Sequence, residues 1–368
     1  MSIAAVASDS AKVKSQRFSE LDSMRGIGAL FVVFNHMFHV FHFHLGFGTS
    51  LSSFLIYPFV TGQVMFFFLL SGFVLAMPFL HGKGQPYRIY LTRRILRIYG
   101  PYLAALALSV GANAIWHRPG IVPTFRGSIW AQSPDIRSIL QHVGLIGNYD
   151  FGRYNVSFWS LVYEMRVSTL FPLVFMVTRR LKLIAALSLL MAFNLIGSLP
   201  GFPVTLEYIA IFMGGILLAT HLSTIGEWYK DLSTFMKGMI LAGSFVVYSY
   251  SHIITDSTLL WHIADLLIVV GSAGFIVTGI NSERIRNLLK MRAPAYLGKI
   301  AYSLYLIHAT VLFGLSYLLK DRTSEGAFYV IFLITSILLS WAFYEAVEAP
   351  FTRWSKQFGK RKTIYEPY

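Results

Sequence analysis

The feature that most restricts the fold is a series of ten apolar stretches of membrane length, at about 24–45, 54–80, 95–116, 156–178, 181–198, 204–222, 234–252, 258–280, 297–319 and 327–347. A hydrocarbon core roughly 30 Å thick needs about 20 apolar residues of helix. With no water inside it, the backbone must satisfy its own hydrogen bonds. The expected fold is therefore an all-α polytopic membrane protein of about ten transmembrane helices. A composition of 55% hydrophobic and 13% charged residues in 368 excludes an ordinary soluble domain. The second stretch is interrupted by Pro58 and by Ser71-Gly72, which predicts a bent or partly unwound helix.

Basic residues orient this plan. In a soluble protein a net charge of +14 would suggest nucleic acid. Here 24 lysines and arginines fall on one side of the ten-span plan: up to Arg25, within 83–97, 179–182, 230–237 and 284–299, and after 350. Six fall on the other, at Arg118, Arg126, Arg137, Arg153, Lys320 and Arg322. By the positive-inside rule both termini are expected in the cytoplasm. The chain then divides into a cytoplasmic segment 1–20, a membrane domain 21–350 and a basic tail 351–368. The first ~17 residues carry no apolar core of signal-peptide length, so the first helix is expected to be its own insertion signal. The long connection 117–155 on the opposite face is the expected lid or vestibule. There is no cysteine, which removes disulfides, thiolate chemistry and cysteine-held metals.

Polar groups inside membrane spans are costly and line interiors. Arg25 and His36 lie eleven residues apart, about 1100° of helix or three turns plus about 20°, so they share a face. The rise of about 16 Å sets Arg25 at a membrane surface and His36 near the midplane. Two readings of His36 stand: a core histidine bonded to a carbonyl, or a base toward a hydroxyl. His39, His42 and His44 do not share one face with it, and no metal site is expected there. Arg93, Arg94 and Arg97 open the third span, as positive-inside anchors or as a phosphate fork. Glu164, with Ser160 on its face and Tyr163 beside it, lies about 13 Å into the fourth span. It needs a partner from another helix, His36 or an arginine, since Arg166 lies about 200° away. Tyr305 and His308 share a face of the ninth span, Ser71 and Gln63 can line a cavity from the second, and Asp265 follows His262 by three residues in the eighth.

Six segments in order resemble the acyltransferase-3 family of membrane O-acyltransferases. They are LDSMRG with Arg25, ten residues and His36; FFFLLSGFVLA at 66–76; RRILRIYGPY at 93–102; FWSLVYE at 158–164; YSLYLIH at 302–308; and EAPF at 348–351. Each is weak alone; together they cover nearly the whole chain. Departures are Ser23 where the family more often has Gly, Asn35 where a small residue is commoner, and Met165-Arg166-Val167 after Glu164.

The resemblance implies transfer of an acyl group, most often acetyl, from cytoplasmic acyl-CoA as co-substrate to a sugar, polysaccharide or lipid-linked glycan. The setting is the membrane, with the bacterial inner membrane as the expected location. It implies His36, Arg25 and Glu164 as catalytic residues and Arg93, Arg94 and Arg97 as the acyl-CoA site. Ser71, Ser160, Tyr163, Tyr305 and His308 would line the pocket, with no bound cofactor and no metal. The competing class is a transporter or permease using the same residues as a proton or substrate relay. No internal repeat is visible, and the ordered segments favour the enzyme.

Overall fold

The structure is a computed structural model that describes residues 18–41, 62–117, 130–145, 149–251, 258–319 and 322–359, with backbone alone at 39–41 and 258–260. Pro58, the side chain of His39, His42, His44 and residues 118–129 and 146–148 of the long connection lie outside the described residues.

Among the described residues every regular element is helical. In order these are α1 (Ser19–Phe41), α2 (Gln63–Leu80), α3 (Tyr87–Arg94), a π-helical turn (Ile95–Tyr99), α4 (Gly100–Trp116), α5 (Ile136–Gly144), α6 (Phe158–Arg180) and α7 (Leu183–Gly197). They continue as α8 (Thr205–Thr220), α9 (Leu222–Asp231), α10 (Thr234–Tyr250), α11 (Thr258–Asn281), α12 (Glu283–Leu289) and α13 (Arg292–Leu319). The chain closes with α14 (Glu325–Phe343), a second π turn (Tyr344–Glu348) and α15 (Ala349–Gln357).

All ten apolar stretches are helical where described. Six helices are long and apolar enough to cross a membrane: Gln63–Leu80, Tyr87–Trp116, Phe158–Arg180, Trp261–Asn281, Arg292–Leu319 and Glu325–Gln357. The pair α8–α9, bent by 64°, makes up to seven. α7 has 15 residues and α10 has 17, short for a full crossing. α1 begins with Glu20, Asp22 and Arg25. From Gln63 on, α2 is an unbroken helix through Ser71-Gly72.

The reason for Gly72 is packing. A Cβ there would lie 2.4 Å from the carbonyl oxygen of Phe212, and one on Gly215 would lie 2.2 Å from that of Leu69. α2 and α8 therefore cross backbone to backbone, as membrane helices do where small residues meet. α1 and α13 do the same: a Cβ on Gly26 would lie 2.3 Å from the Leu297 carbonyl carbon, and one on Gly298 would lie 2.5 Å from the Asp22 oxygen.

Two apolar clusters form around these crossings. One joins α2, α6, α8 and α11 through Phe68, Phe73, Phe171, Phe212 and Ile268. The other joins α1, α4, α13 and α14 through Val33, Tyr102, Leu304, Leu312 and Phe332. Arg25, His36, Ser71, Arg94, Arg97, Ser160, Glu164 and Tyr305 line cavities between these clusters. Both π turns lie at this junction, each followed by a proline at the start of the next helix, Pro101 and Pro350. The helices after them lock together, because Gly100 packs under the Phe351 ring. π turns carry one extra residue and so re-aim the side chains they hold, here Arg97 and Glu348.

Candidate active site

Two cavities open along one face of α1. The first, of about 150 Å³, is walled by Arg25, Ser71, Arg94, Arg97, Ser160, Glu164, Tyr302, Tyr305 and Glu348. The second, of about 650 Å³, is walled by His36, Asn35, Gln63, Trp130, Tyr149, Phe151, Arg153, Trp159, Tyr163 and Tyr305 among others. Val64 and Tyr305 belong to both walls. α6 also serves both: Trp159 and Tyr163, four residues apart, face the histidine cavity, and Ser160 and Glu164 face the arginine cavity.

In the arginine cavity Glu164 accepts from Arg94 Nη2 at 3.1 Å and from Ser71 Oγ at 3.3 Å. Arg94 also donates to Ser168 Oγ at 2.7 Å. The partner Glu164 requires is thus an arginine of the third span. Arg166 instead lies over the rings of Tyr163 and Phe151, at 5.5 and 5.7 Å. Arg25 pairs with Asp22 one turn away at 3.2 Å. Glu348 accepts from the backbone N–H and hydroxyl of Ser303 at 3.0 and 2.6 Å. Arg97 is accessible, lines the cavity, and makes no hydrogen bond or ion pair among the described residues. An accessible guanidinium in a cavity wall with its donors available is a receptor for an anionic oxygen.

Arg93 does not reach this cavity. Its Nε and Nη2 donate to the Phe358 carbonyl at 3.0 and 2.7 Å, while Ser355 Oγ donates back to the Arg93 carbonyl at 2.9 Å. Arg93 latches the end of α15 to α3.

In the histidine cavity the ring of His36 lies edge to edge with that of His308, with centroids 5.0 Å apart and planes 11° apart. Nδ1 of His36 lies 2.8 Å from Nε2 of His308, and Nδ1 of His308 lies 2.8 Å from the Leu304 carbonyl oxygen. A carbonyl only accepts, so His308 Nδ1 carries a proton. The remaining partner of His308 is Ser157 Oγ at 3.4 Å. His308 is fully buried, and no carboxylate is among its partners. An imidazolium there would be an uncompensated charge, so His308 is neutral and its Nε2 accepts. His36 then donates through Nδ1, and its lone pair is on Nε2. His308 lines neither cavity; it stands behind His36.

The wall between the cavities is itself bonded: Ser160 Oγ and the Tyr305 hydroxyl lie 2.5 Å apart. Asn155 holds this region in register. Its Nδ2 donates to the Leu306 carbonyl at 2.9 Å, and its Oδ1 accepts from Ser157 N, also at 2.9 Å, fastening the start of α6 to α13. Around the histidine cavity the mouth is aromatic, with Trp130, Tyr149, Phe151, Trp159 and Tyr163, and Arg153 is held by Asp135 at 2.8 Å. Burial raises the Tyr149 phenol to about 12, so it stays a hydrogen-bond donor at neutral pH.

The structure thus brings Arg25, Ser71, Arg94, Arg97, Ser160, Glu164 and Tyr305 to one cavity, and His36, Tyr163 and Tyr305 to the other. Tyr302, Glu348, Asn155 and Trp130 join the site without having been singled out as site residues. Tyr302 and Glu348 stood inside quoted segments, YSLYLIH and EAPF; Asn155 and Trp130 lie in the long connection, outside its one helix, α5.

Neither a curated protein nor a solved structure matches this chain. A family model does, over residues 18–345: that of the acyltransferase-3 family, described as an acyltransferase domain. That span runs from the start of α1 into the second π turn and takes in the wall residues of both cavities except Glu348. The chain belongs to the acyltransferase-3 family and is a membrane O-acyltransferase.

Proposed function

We propose that the enzyme takes an acyl group, acetyl being the family's commonest, from cytoplasmic acyl-CoA to a hydroxyl of a sugar or glycan on the far side of the bacterial inner membrane. The arginine cavity receives the donor and the histidine cavity the acceptor. The observation that carries this reading is the chain from the Leu304 carbonyl through His308 to His36, a residue of the aromatic cavity's wall.

The charge split of the sequence supports a cytoplasmic opening for the arginine cavity, because Arg25, Arg94 and Arg97 belong to the basic side of the plan. Arg97 and Arg94 meet the phosphates of the donor, and its acyl end extends toward Tyr305. His36 Nε2 takes the proton of the acceptor hydroxyl as its oxygen attacks the thioester carbon. The tetrahedral oxyanion is met by a hydrogen bond from Tyr305, and its collapse forms the ester and expels the CoA thiolate. The imidazolium of His36 returns the proton to the thiolate, which leaves as CoA. Aromatic rings at the mouth suit a sugar, whose apolar ring faces stack on them.

The test is an acyl-transfer assay in membranes with labelled acyl-CoA and glycan acceptors, for the wild type and H36A at matched abundance. Loss by roughly 10²–10⁴-fold in H36A is expected for removal of a general base. Retained transfer would remove His36 from the chemistry. Uptake of unmodified sugar in place of acylation would remove the proposed acceptor.

A further inference from the structure

Outside both cavities, Glu207 at the start of α8 meets His262 and Asp265 on α11. One ligand atom from each lies within 4.8 Å of the others. His262 Nδ1 is 3.1 Å from Glu207 Oε1. Glu207 and Asp265 are only 3% and 4% exposed, and the His262 side chain 21%. On α7, Gly197 seats against the Glu207 backbone, where a Cβ would lie 2.6 Å from its nitrogen. One turn earlier on the same face, Asn194 is fully buried, and its amide oxygen and nitrogen have no hydrogen-bond partner among the described residues.

We propose that Glu207, His262 and Asp265 bind a divalent transition-metal ion of the zinc type. One imidazole nitrogen with two carboxylates is a donor set that zinc takes, with its fourth position for water. All-oxygen sets are what magnesium and calcium take. Two carboxylates and a neutral imidazole carry a charge of minus two, which a dication cancels. At this buried site that balance removes the cost of burying two like charges side by side.

The ion would staple α8 to α11. Tyr208, next to Glu207, packs its ring at a tilt against Tyr163 at 4.5 Å and Trp159 at 6.1 Å, both in the wall of the histidine cavity. The site therefore braces that wall from behind. It is new relative to the sequence reading, which expected no metal: Glu207 and His262 are 55 residues apart, and no local spacing announces them.

The experiment uses the full chain, tag removed, purified in detergent and stripped with chelator. The wild type is expected to bind one equivalent of zinc, to gain several degrees in Tm on its addition, and to develop visible absorption bands with cobalt. E207Q and D265N are expected to lose all three responses, and H36A to keep them, which separates this site from the histidine pair. Absence of cobalt bands and of a zinc-dependent Tm in the wild type would overturn the proposal without recourse to any variant. So would binding unchanged in E207Q, or binding lost in H36A alone. A wild type insensitive to metal would leave the carboxylates as a proton-sharing pair.

Discussion

His36 Nδ1 and His308 Nε2 lie 2.8 Å apart across two nearly parallel rings, and the far nitrogen of His308 is committed to the Leu304 carbonyl. Two hydrogen bonds thus decide which nitrogen of His36 is basic. His308 acts through His36 and is a positioning residue. H308A is expected to lower kcat by roughly 10–100-fold, the scale of losing a partner that orients a reactive group, with KM for acyl-CoA little changed. H308Q, whose amide oxygen can accept from His36 Nδ1, is expected to recover part of that loss. Equal activity in the two variants would show that packing alone is at stake.

Arg97 and Arg93 stand four residues apart and are expected to separate in kinetics. R97A should raise KM for acyl-CoA by about tenfold or more, the scale of one charge-assisted contact, with folding intact. R93A should leave KM near that of the wild type and lower Tm, since Arg93 holds the Phe358 carbonyl at the end of α15. Measuring KM and Tm on both variants checks the division; a KM effect in R93A would return it to the donor site.

Tyr305 closes the wall between the cavities through its bond to Ser160. Y305A is expected to let water from the acceptor side reach the donor, so that acyl-CoA is hydrolysed without acceptor while transfer falls. Y305F keeps the ring and should lower transfer without raising hydrolysis. Free CoA release with and without glycan reads both, and tight coupling in Y305A would argue that the wall lies elsewhere.

The helix crossings give a stability prediction. G72A drives a Cβ to 2.4 Å from the Phe212 oxygen, whereas G111A on α4 meets nothing within 4 Å. G72A should cost about 1–3 kcal/mol or more as overpacking that the backbone cannot relieve. G111A should be neutral or gain up to about 1 kcal/mol from helix propensity. Thermal unfolding in detergent distinguishes them.

How much was legible in the sequence follows from the range of each interaction. Helices announce themselves by runs of apolar residues, and every expected stretch is helical where described. The shared face of Arg25 and His36 is a matter of counting along one helix, and both side chains do reach cavity walls. Partner choice is not local. Glu164 needed a cation, but that it is Arg94 depends on how α3 meets α6. Arg93 looked like its neighbours Arg94 and Arg97, yet a latch to residue 358 takes it out of the cavity. Gly72 read as a weak point in α2, but it is the contact surface for α8. The separation of Glu164 from His36 into different cavities also escapes one-dimensional reading, because Tyr305 and Ser160 intervene from α13 and α6.

The π turn at Ile95–Tyr99 has a consequence for how this enzyme tolerates change in chain length. An extra residue in a helix is a phase shift. Everything before the turn is rotated relative to everything after it; Arg94 immediately precedes the turn and Arg97 lies within it. Removing a single apolar residue there, Ile95 or Leu96, would restore plain α-helical phase and swing the arginines relative to each other while leaving charge and composition almost untouched. Substitutions at the same two positions keep the phase. The donor end of this enzyme is thus set by counting, and there a one-residue deletion should be far more damaging than any single replacement of the same side chain.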